Sequence, residues 1–436
     1  MSGYAGTLSQ YLLFIMFGYI IYRSIREPIL LTIPFITSAL FKQWVLSNEI
    51  VFLGLDYTVF TVFLIGVAFI IMLFQRDAAP IRFPLWASMA LGVIVLVSVY
   101  TYYSSQGSSD SDRSFYKFLF FGLTGFLSPI ILIRRERDLR SFINVLTALI
   151  TLLVFIAIIL GDSVEERARA LEGSTITTSI FSAVMVTMVT YRMIVESNAR
   201  NNILWILLIV FGLIGMLITG SRGPFQQLLL ITPFILFINP KYYSRPLIAV
   251  AVMVLVVLIS YTYLLDFKAV SRTLTPNIEG ASIQYRLNAW SFITSNWMDA
   301  PILGHGIGYL EARYDIQAHS LMLDLLFSGG LISLVAYIVM VVNVIVYWKT
   351  RPRILRFTSL DTSVCQIFLV ALLHYSISIN GQSLESIRFV FFWSGASLAA
   401  SWLAHHTGEM KMNEYQRLKQ ESLQRDGLLD ARSAKI

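Results

Sequence analysis

Long apolar runs separated by short polar segments dominate the chain. A helix needs about 20 apolar residues to cross a hydrocarbon core about 30 Å thick, and only internally hydrogen-bonded backbone is stable in lipid. About thirteen runs approach this length, roughly at 8–22, 28–41, 57–74, 85–103, 115–133, 141–161, 178–196, 203–220, 224–239, 247–265, 322–348, 362–380 and 387–404. The pattern predicts an all-α polytopic membrane protein with about 12–13 transmembrane helices.

The composition agrees with this class. Hydrophobic residues make up 56% of the 436 residues and charged residues 14%, with a mean hydropathy of +0.69. The net charge of +7 comes from basic residues in short loops and the tail, a topology signal and not a nucleic-acid footprint. The single cysteine, Cys365, lies in a predicted span, which excludes an intrachain disulfide and a CxxC site.

The distribution of Lys and Arg predicts the orientation. Basic residues are more frequent in the short segments on one side of the predicted spans and in the tail, which are therefore expected to be cytoplasmic. The N-terminal run has no basic residue before it and is interpreted as an uncleaved anchor. We expect one transmembrane domain over 1–404 with a long outer loop, 266–321, inserted in it. The remaining residues, 405–436, are expected to form a polar cytoplasmic tail.

The outer loop is too long and too patterned to be a simple connection. Its stretch EGASIQYRLNAWSFITSNWMDAP predicts an amphipathic helix on the membrane surface, with an apolar stripe formed by Ile283, Leu287, Trp290, Ile293 and Trp297. The following PILGHGIGYL has three closely spaced glycines that disfavour a regular helix.

The last outer element is a run of about 30 residues from His319 to Trp348, or about 45 Å as a helix, which overshoots the membrane. Gly329 and Gly330 offer a break in this run. His319 is therefore expected at the outer membrane boundary, as a titratable base beside the lipid headgroups.

The sequence GSRG at 220–223 predicts a tight outer turn between two spans. Gly220 is suited to end one helix and Pro224 to begin the next, so that a helix N-terminus lies at Arg222. Free N–H groups, the positive end of the helix dipole and a guanidinium would together form an anion site that fits a diphosphate. The alternative is an arginine that only marks the membrane boundary.

Several residue patterns narrow the chemistry. The predicted spans contain no cluster of carboxylates, and Asp324 is the one acidic residue that lies away from their ends. This pattern disfavours an ion-coupled transporter. The chain has no HExxH, no Cys/His set and no outward acidic pair near an early span, so a metal-free mechanism without a cofactor is expected. GHGIG at 304–308 lacks the strand and βαβ unit of a dinucleotide site. His305 is interpreted as a loop residue, and an interfacial, non-catalytic role remains open for His319.

Three elements follow one another in order: GSRG, then YRLNAW followed after ten residues by PILGHGIGYL, then AHSLMLDLLFSGGLISLVAYI. This arrangement, across roughly residues 170–400, resembles the O-antigen ligase and O-antigen polymerase superfamily of bacterial inner-membrane glycan transferases. The chain departs from the superfamily where it has Ser320, Asp324 and GGLIS after the histidine, which bears on substrate detail.

The resemblance implies an inverting transfer of a glycan from an undecaprenyl diphosphate carrier to an acceptor hydroxyl on the periplasmic side. In this scheme His319 is the general base, and Arg222 and Arg286 stabilise the leaving diphosphate without a metal. Further candidates for contact with phosphate or sugar are Arg313, Tyr285 and Tyr309, and the tryptophans are expected to anchor the loop. Asp324 lies about 140° around the helix from His319 and is not expected to orient the imidazole directly.

The acceptor distinguishes three enzymes of this kind. A lipid A-core acceptor defines a ligase, a second carrier-linked repeat unit a polymerase, and a protein hydroxyl an O-oligosaccharyltransferase, with a slight preference for the ligase. A flippase for the same lipid-linked glycans and a non-catalytic scaffold of a polysaccharide assembly complex remain alternatives.

Overall fold

The structure is a computed structural model. It describes residues 2–38, 56–75, 85–104, 115–160, 175–195, 199–238, 244–263, 281–318, 320–349 and 387–433, together with a few isolated positions. Cys365 and, apart from the isolated Ala371, the predicted span 362–380 lie outside the described residues.

The described chain is almost entirely helical. Its α-helices, numbered along the chain, are α1 Ser2–Ser24, α2 Thr32–Ile36, α3 Tyr57–Leu73, α4 Leu85–Ser104, α5 Leu123–Leu132, α6 Glu136–Phe155, α7 Thr175–Val195, α8 Ala199–Ile218, α9 Arg222–Ile238, α10 Ser244–Tyr263, α11 Ala281–Asn296, α12 Tyr309–Tyr314, α13 Leu321–Lys349 and α14 Ile387–Ser433. Two π-helical turns, Phe118–Gly122 and Ile156–Leu160, extend α5 and α6. A two-residue antiparallel pair, β1 Ser163–Val164 with β2 Arg167–Ala168, lies in the loop after α6.

Most of the predicted apolar runs that the structure describes form helices. Within the described residues five stretches are long and apolar enough to cross a bilayer: Leu85–Tyr103, Phe115–Leu132, Glu136–Ile158, Ile176–Met193 and Leu321–Val344. Shorter apolar helices are Tyr11–Ser24, Tyr57–Leu73, Asn202–Ile218 and Met253–Tyr263. The all-α polytopic class is confirmed, and the total of 12–13 spans stays a prediction.

The predicted run 28–41 does not form one long helix. It begins with a 3₁₀ helix, Pro28–Leu31, followed by the five-residue α2. Proline lacks the N–H that a helix interior requires, and Pro34 lies within this stretch. Residues 27–38 are nevertheless buried, so the described part of this segment packs against the rest of the protein.

The core is formed by close packing of neighbouring helices. α4 packs along α13, α5 along α14, and α7 along α8. Gly395 of α14 approaches the carbonyl oxygen of Phe126 in α5 so closely that a side chain there would collide with it. Phe142 of α6 contacts Trp393 of α14 edge to face, with ring centroids 6.1 Å apart. These contacts join the last helix to the middle of the chain.

α14 continues without a break from the last apolar run into the polar tail. His405, the first residue of the predicted tail, is 2% exposed, whereas Tyr415 is 56% exposed. The packed part of the helix therefore extends slightly past the predicted boundary at 404. The division into a membrane domain and a tail stays a prediction.

Candidate active site

The GSRG turn has the predicted backbone. α8 ends at Ile218, Gly220 adopts φ 64°, and its N–H donates to the carbonyl of Leu217 at 3.1 Å. Glycine suits this left-handed position because it has no Cβ. α9 then begins at Arg222 itself, so the predicted helix N-terminus lies at this residue, and the N–H groups of its first turn have no partner within the helix. Pro224 is the third helical residue and not, as predicted, the first. The side chain of Arg222 lies outside the described part of the structure.

The outer loop folds around a small core of its own. α11 forms as predicted and continues into a 3₁₀ turn, Trp297–Asp299. Ile293 of α11 packs with Leu310, Ala318 and Phe327, which joins α11, α12 and the start of α13. Leu287, expected on the apolar stripe, is 43% exposed, so the packed face of α11 is narrower than predicted. We call residues 281–332 the loop unit.

The glycine-rich turn of the loop unit completes the broken helix α13. Gly330 has φ 64° and ψ −169°, which confirms the predicted break and interrupts the helical hydrogen bonds around it. The turn replaces them: the N–H of Leu331 donates to the carbonyl of Pro301 at 2.9 Å, and the carbonyls of Phe327 and Ser328 accept, at 2.8 Å each, from the N–H groups of the turn at 305 and 306. The turn and the kinked helix therefore hold each other in place.

His305 lies inside this junction. Its imidazole stacks on Phe327, with ring centroids 4.4 Å apart, and on Tyr309, 5.4 Å apart. Nε2 lies 3.4 Å from the carbonyl oxygen of Asn296. A ring with two aromatic neighbours and a nearby backbone carbonyl is suited to packing, which agrees with the interpretation of His305 as a loop residue.

The two candidate tyrosines are both engaged within the loop unit. The hydroxyl of Tyr285 accepts from the N–H of Gln317 at 3.0 Å and donates to the carbonyl of Asp315 at 3.4 Å, although the side chain is 42% exposed. Tyr309 presents one ring face to His305. Contact of these tyrosines with sugar stays a prediction, and it would involve the parts of the two side chains that these contacts leave accessible.

Arg286 is the half-buried cation of the loop unit. Burial lowers the pKa of its guanidinium, with no compensating contribution from a neighbouring charge. No ion pair of Arg286 is found within the described residues, in contrast to Arg23, whose guanidinium contacts Glu27 at 2.7 Å. A half-buried guanidinium without a carboxylate partner among these residues is suited to bind an anion. Arg313, on α12, is exposed.

The structure brings Tyr285, Tyr309 and the chain that leads to His319 together in the loop unit. His319 itself lies outside the described residues. Its neighbours Ala318 and Ser320 are 2% and 5% exposed, and the carbonyl of Ser320 accepts from the N–H of Asp324 at 2.8 Å. Asp324 is 7% exposed and lies 3.2 Å from the hydroxyl of Ser328.

One residue of this arrangement was not predicted as a site residue. The indole N–H of Trp290 donates to the carbonyl of Ala318 at 2.8 Å. The sequence indicated only an anchoring aromatic residue, because hydrogen bonds across 28 positions leave no local pattern. No group of three His, Cys, Asp or Glu residues able to hold a metal ion together is found among the described residues.

The molecule is therefore a polytopic helical protein in which a folded loop unit is joined to a broken helix. Residues 207–338 match the family model Wzy_C, described as O-antigen ligase. The match extends from α8 through the GSRG turn and the loop unit into α13, and it confirms the resemblance to the O-antigen ligase and polymerase superfamily over this segment. No curated protein matches the chain. The match supports glycan transfer of the ligase or polymerase type as the general activity.

Proposed function

We propose that the chain is an inverting, metal-independent glycosyltransferase of the bacterial inner membrane. It transfers a glycan from an undecaprenyl diphosphate carrier to an acceptor hydroxyl at the periplasmic face, and its C-terminus is cytoplasmic. The observation that carries this proposal is the loop unit, which fixes the backbone on both sides of His319 and contains the half-buried Arg286.

The donor already carries a good leaving group, so the reaction needs fixed positive charge and a base. Arg222 at the start of α9 and Arg286 bind the diphosphate and stabilise the charge that develops on it. Arginine suits this role because its planar guanidinium bonds two phosphate oxygens at once and stays protonated. The amide groups at the start of α9 add further donors.

The acceptor hydroxyl is a poor nucleophile until it loses its proton. Neutral His319 takes this proton while the hydroxyl oxygen attacks the anomeric carbon. The bond between that carbon and the diphosphate oxygen breaks, the electron pair leaves with the diphosphate, and the anomeric centre is inverted. The proton remains on His319 until it is released to solvent.

The acceptor determines which enzyme this is. With lipid A-core as acceptor the protein is a ligase, and we give this assignment slight preference because one compact site with one base is sufficient for it. With a second carrier-linked repeat unit as acceptor the protein is a polymerase.

The deciding experiment supplies purified protein with undecaprenyl-diphosphate repeat units as the only glycan, in the presence of a chelator. A ladder of longer lipid-linked chains would identify a polymerase. Intact repeat units, followed by transfer when lipid A-core is added, would identify the ligase. Loss of every product in chelator, with recovery on addition of a divalent cation, would contradict the metal-independent mechanism. Absence of transfer in all conditions, with movement of lipid-linked glycan across vesicles, would favour a flippase.

A further inference from the structure

The segment 315–318 connects α12 to His319 without regular secondary structure. α12 ends at Tyr314, α13 begins at Leu321, and Asp315 between them has φ 52°. A non-glycine residue with positive φ is uncommon and persists where surrounding contacts hold it. The N–H groups of Asp315 and Ile316 still donate to carbonyls of α12, at 2.9 Å and 3.4 Å, whereas the other N–H and C=O groups of the segment need partners from elsewhere.

α11 supplies these partners from two side chains. Tyr285 bonds the Asp315 carbonyl and the Gln317 N–H through one hydroxyl group, at 3.4 Å and 3.0 Å. Five residues further along the helix, Trp290 bonds the Ala318 carbonyl at 2.8 Å. The three hydrogen bonds hold Asp315, Gln317 and Ala318, and Ala318 directly precedes His319.

Packing against the small core of the loop unit also holds this segment. Ala318 is 2% exposed and contacts the small core with Ile293 and Phe327. On the far side of His319, the first turn of α13 begins with the bond from Asp324 N–H to the Ser320 carbonyl. α11, together with the last turn of α12, therefore determines where the chain enters the position of the base.

We propose that Trp290 and Tyr285 are positioning residues for His319. They act through the backbone of residues 315–318 and touch no reacting atom. The inference rests on the proposed role of His319 as the general base. A base that is displaced by about 1 Å loses as much as a hundredfold in rate, so loss of one of these hydrogen bonds is expected to reduce turnover by roughly tenfold.

The variants Trp290→Phe and Tyr285→Phe test this role. Each keeps an aromatic ring in the packed loop unit. Tyr285→Phe removes only the hydroxyl, whereas Trp290→Phe removes the indole N–H together with part of the ring volume, so its control must lose the same volume. The matched control is Trp297→Phe. Trp297 packs against the same small core, and its indole N–H has no hydrogen bond within the described residues. His319→Gln is measured in parallel to test the base itself.

The measurement is steady-state transfer per folded protein, with kcat and the donor KM determined separately and kcat repeated in deuterium oxide. We expect kcat to fall about tenfold in Trp290→Phe and Tyr285→Phe, with the donor KM within about twofold of wild type. The solvent isotope effect on kcat should increase in both, because proton transfer to a displaced base becomes slower. Trp297→Phe should match the wild type in every parameter.

The outcomes separate the two proposals. An active His319→Gln would contradict the general base and hence the proposed mechanism. An inactive His319→Gln together with wild-type kcat in Trp290→Phe would overturn the positioning role while leaving the base intact. An equal loss of kcat in Trp297→Phe would show that Trp290 contributes only to packing. A lower kcat in Trp290→Phe with an unchanged isotope effect would show the same.

Discussion

His305 donates its backbone N–H to the carbonyl of Phe327 at 2.8 Å, while its imidazole stacks on the ring of the same residue at 4.4 Å. One residue of the outer loop is thus joined to α13 through both backbone and side chain. Phe327 lies three residues before the kink at Gly330, so the contact transmits the position of the loop directly to the broken helix.

His305 is predicted to act through its ring and not through its proton. His305→Phe keeps an aromatic ring in contact with Tyr309 and Phe327 and should retain most of the transfer activity. His305→Ala removes both stacking contacts, each worth about 0.5–1.5 kcal/mol, and should lower the thermal stability of the purified protein. Transfer assays and thermal unfolding in detergent measure both effects. Inactive but fully stable His305→Phe would instead indicate that the imidazole takes part in proton transfer.

The kink of α13 is predicted to require glycine. In Gly330→Ala a Cβ would be forced into left-handed backbone and against the carbonyl of Ile302. We expect a loss of about 1–3 kcal/mol in unfolding free energy and release of the turn from α13. Unfolding in denaturant measures this change. The control is Gly66→Ala in α3, where no heavy atom lies within 4 Å of the added Cβ, and which should be neutral or slightly stabilising. Equal stability of the two variants would refute the argument from the kink.

Arg286 is predicted to bind the donor diphosphate. Arg286→Gln should lower kcat/KM on the order of 100-fold, and Arg286→Lys should restore part of it, because a point charge replaces only some of the bidentate contact. Arg417→Gln, which changes an exposed tail arginine 71% accessible at its side chain, provides the control. Measurement uses transfer kinetics at varied donor concentration. Wild-type kinetics in Arg286→Gln would remove this arginine from the site.

The activity is predicted to depend on pH through a neutral base. General-base catalysis requires deprotonated imidazole, so kcat/KM should rise with pH through about 6.5 and then level off. A pH series of initial rates with saturating acceptor measures the profile. Arg286→Gln should keep the shape of the acidic limb at a lower rate, because it leaves the base unchanged. A wild-type rate that is flat between pH 5 and 8 would argue against histidine as the base.

Two ion pairs with the same helical spacing should differ in their contribution to stability. Arg23 and Glu27 contact at 2.7 Å, Arg23 also donates to Ser141 at 3.2 Å, and Glu27 is 6% exposed. Glu27→Gln should cost about 1–3 kcal/mol, because it leaves polar groups with weaker partners in a buried setting. Glu421→Gln breaks an exposed pair at 3.4 Å and should cost less than about 1 kcal/mol. Thermal unfolding of the two variants measures both losses of stability. A larger loss in Glu421→Gln than in Glu27→Gln would contradict the prediction.

The sequence by itself determined the class of the protein and the local backbone of the site. Apolar runs at membrane length predict helices because lipid offers the backbone no other hydrogen-bond partners. Glycine at 220 and 330 predicts a turn and a break because left-handed backbone excludes most side chains, and both positions have φ 64°. α11 followed from its helical periodicity.

The tertiary structure alone decided what holds these pieces together. The bond from Trp290 to Ala318 and the stacking of His305 on Phe327 join residues that are far apart in sequence, and neither contact has a periodic signature. Hydropathy alone predicts one continuous helix over 28–41, whereas the structure has a 3₁₀ helix and a short α-helix in this proline-containing run. Hydropathy reports which environment a segment prefers, whereas hydrogen bonding across the loop unit depends on which segments meet, and that is determined only when the chain is folded.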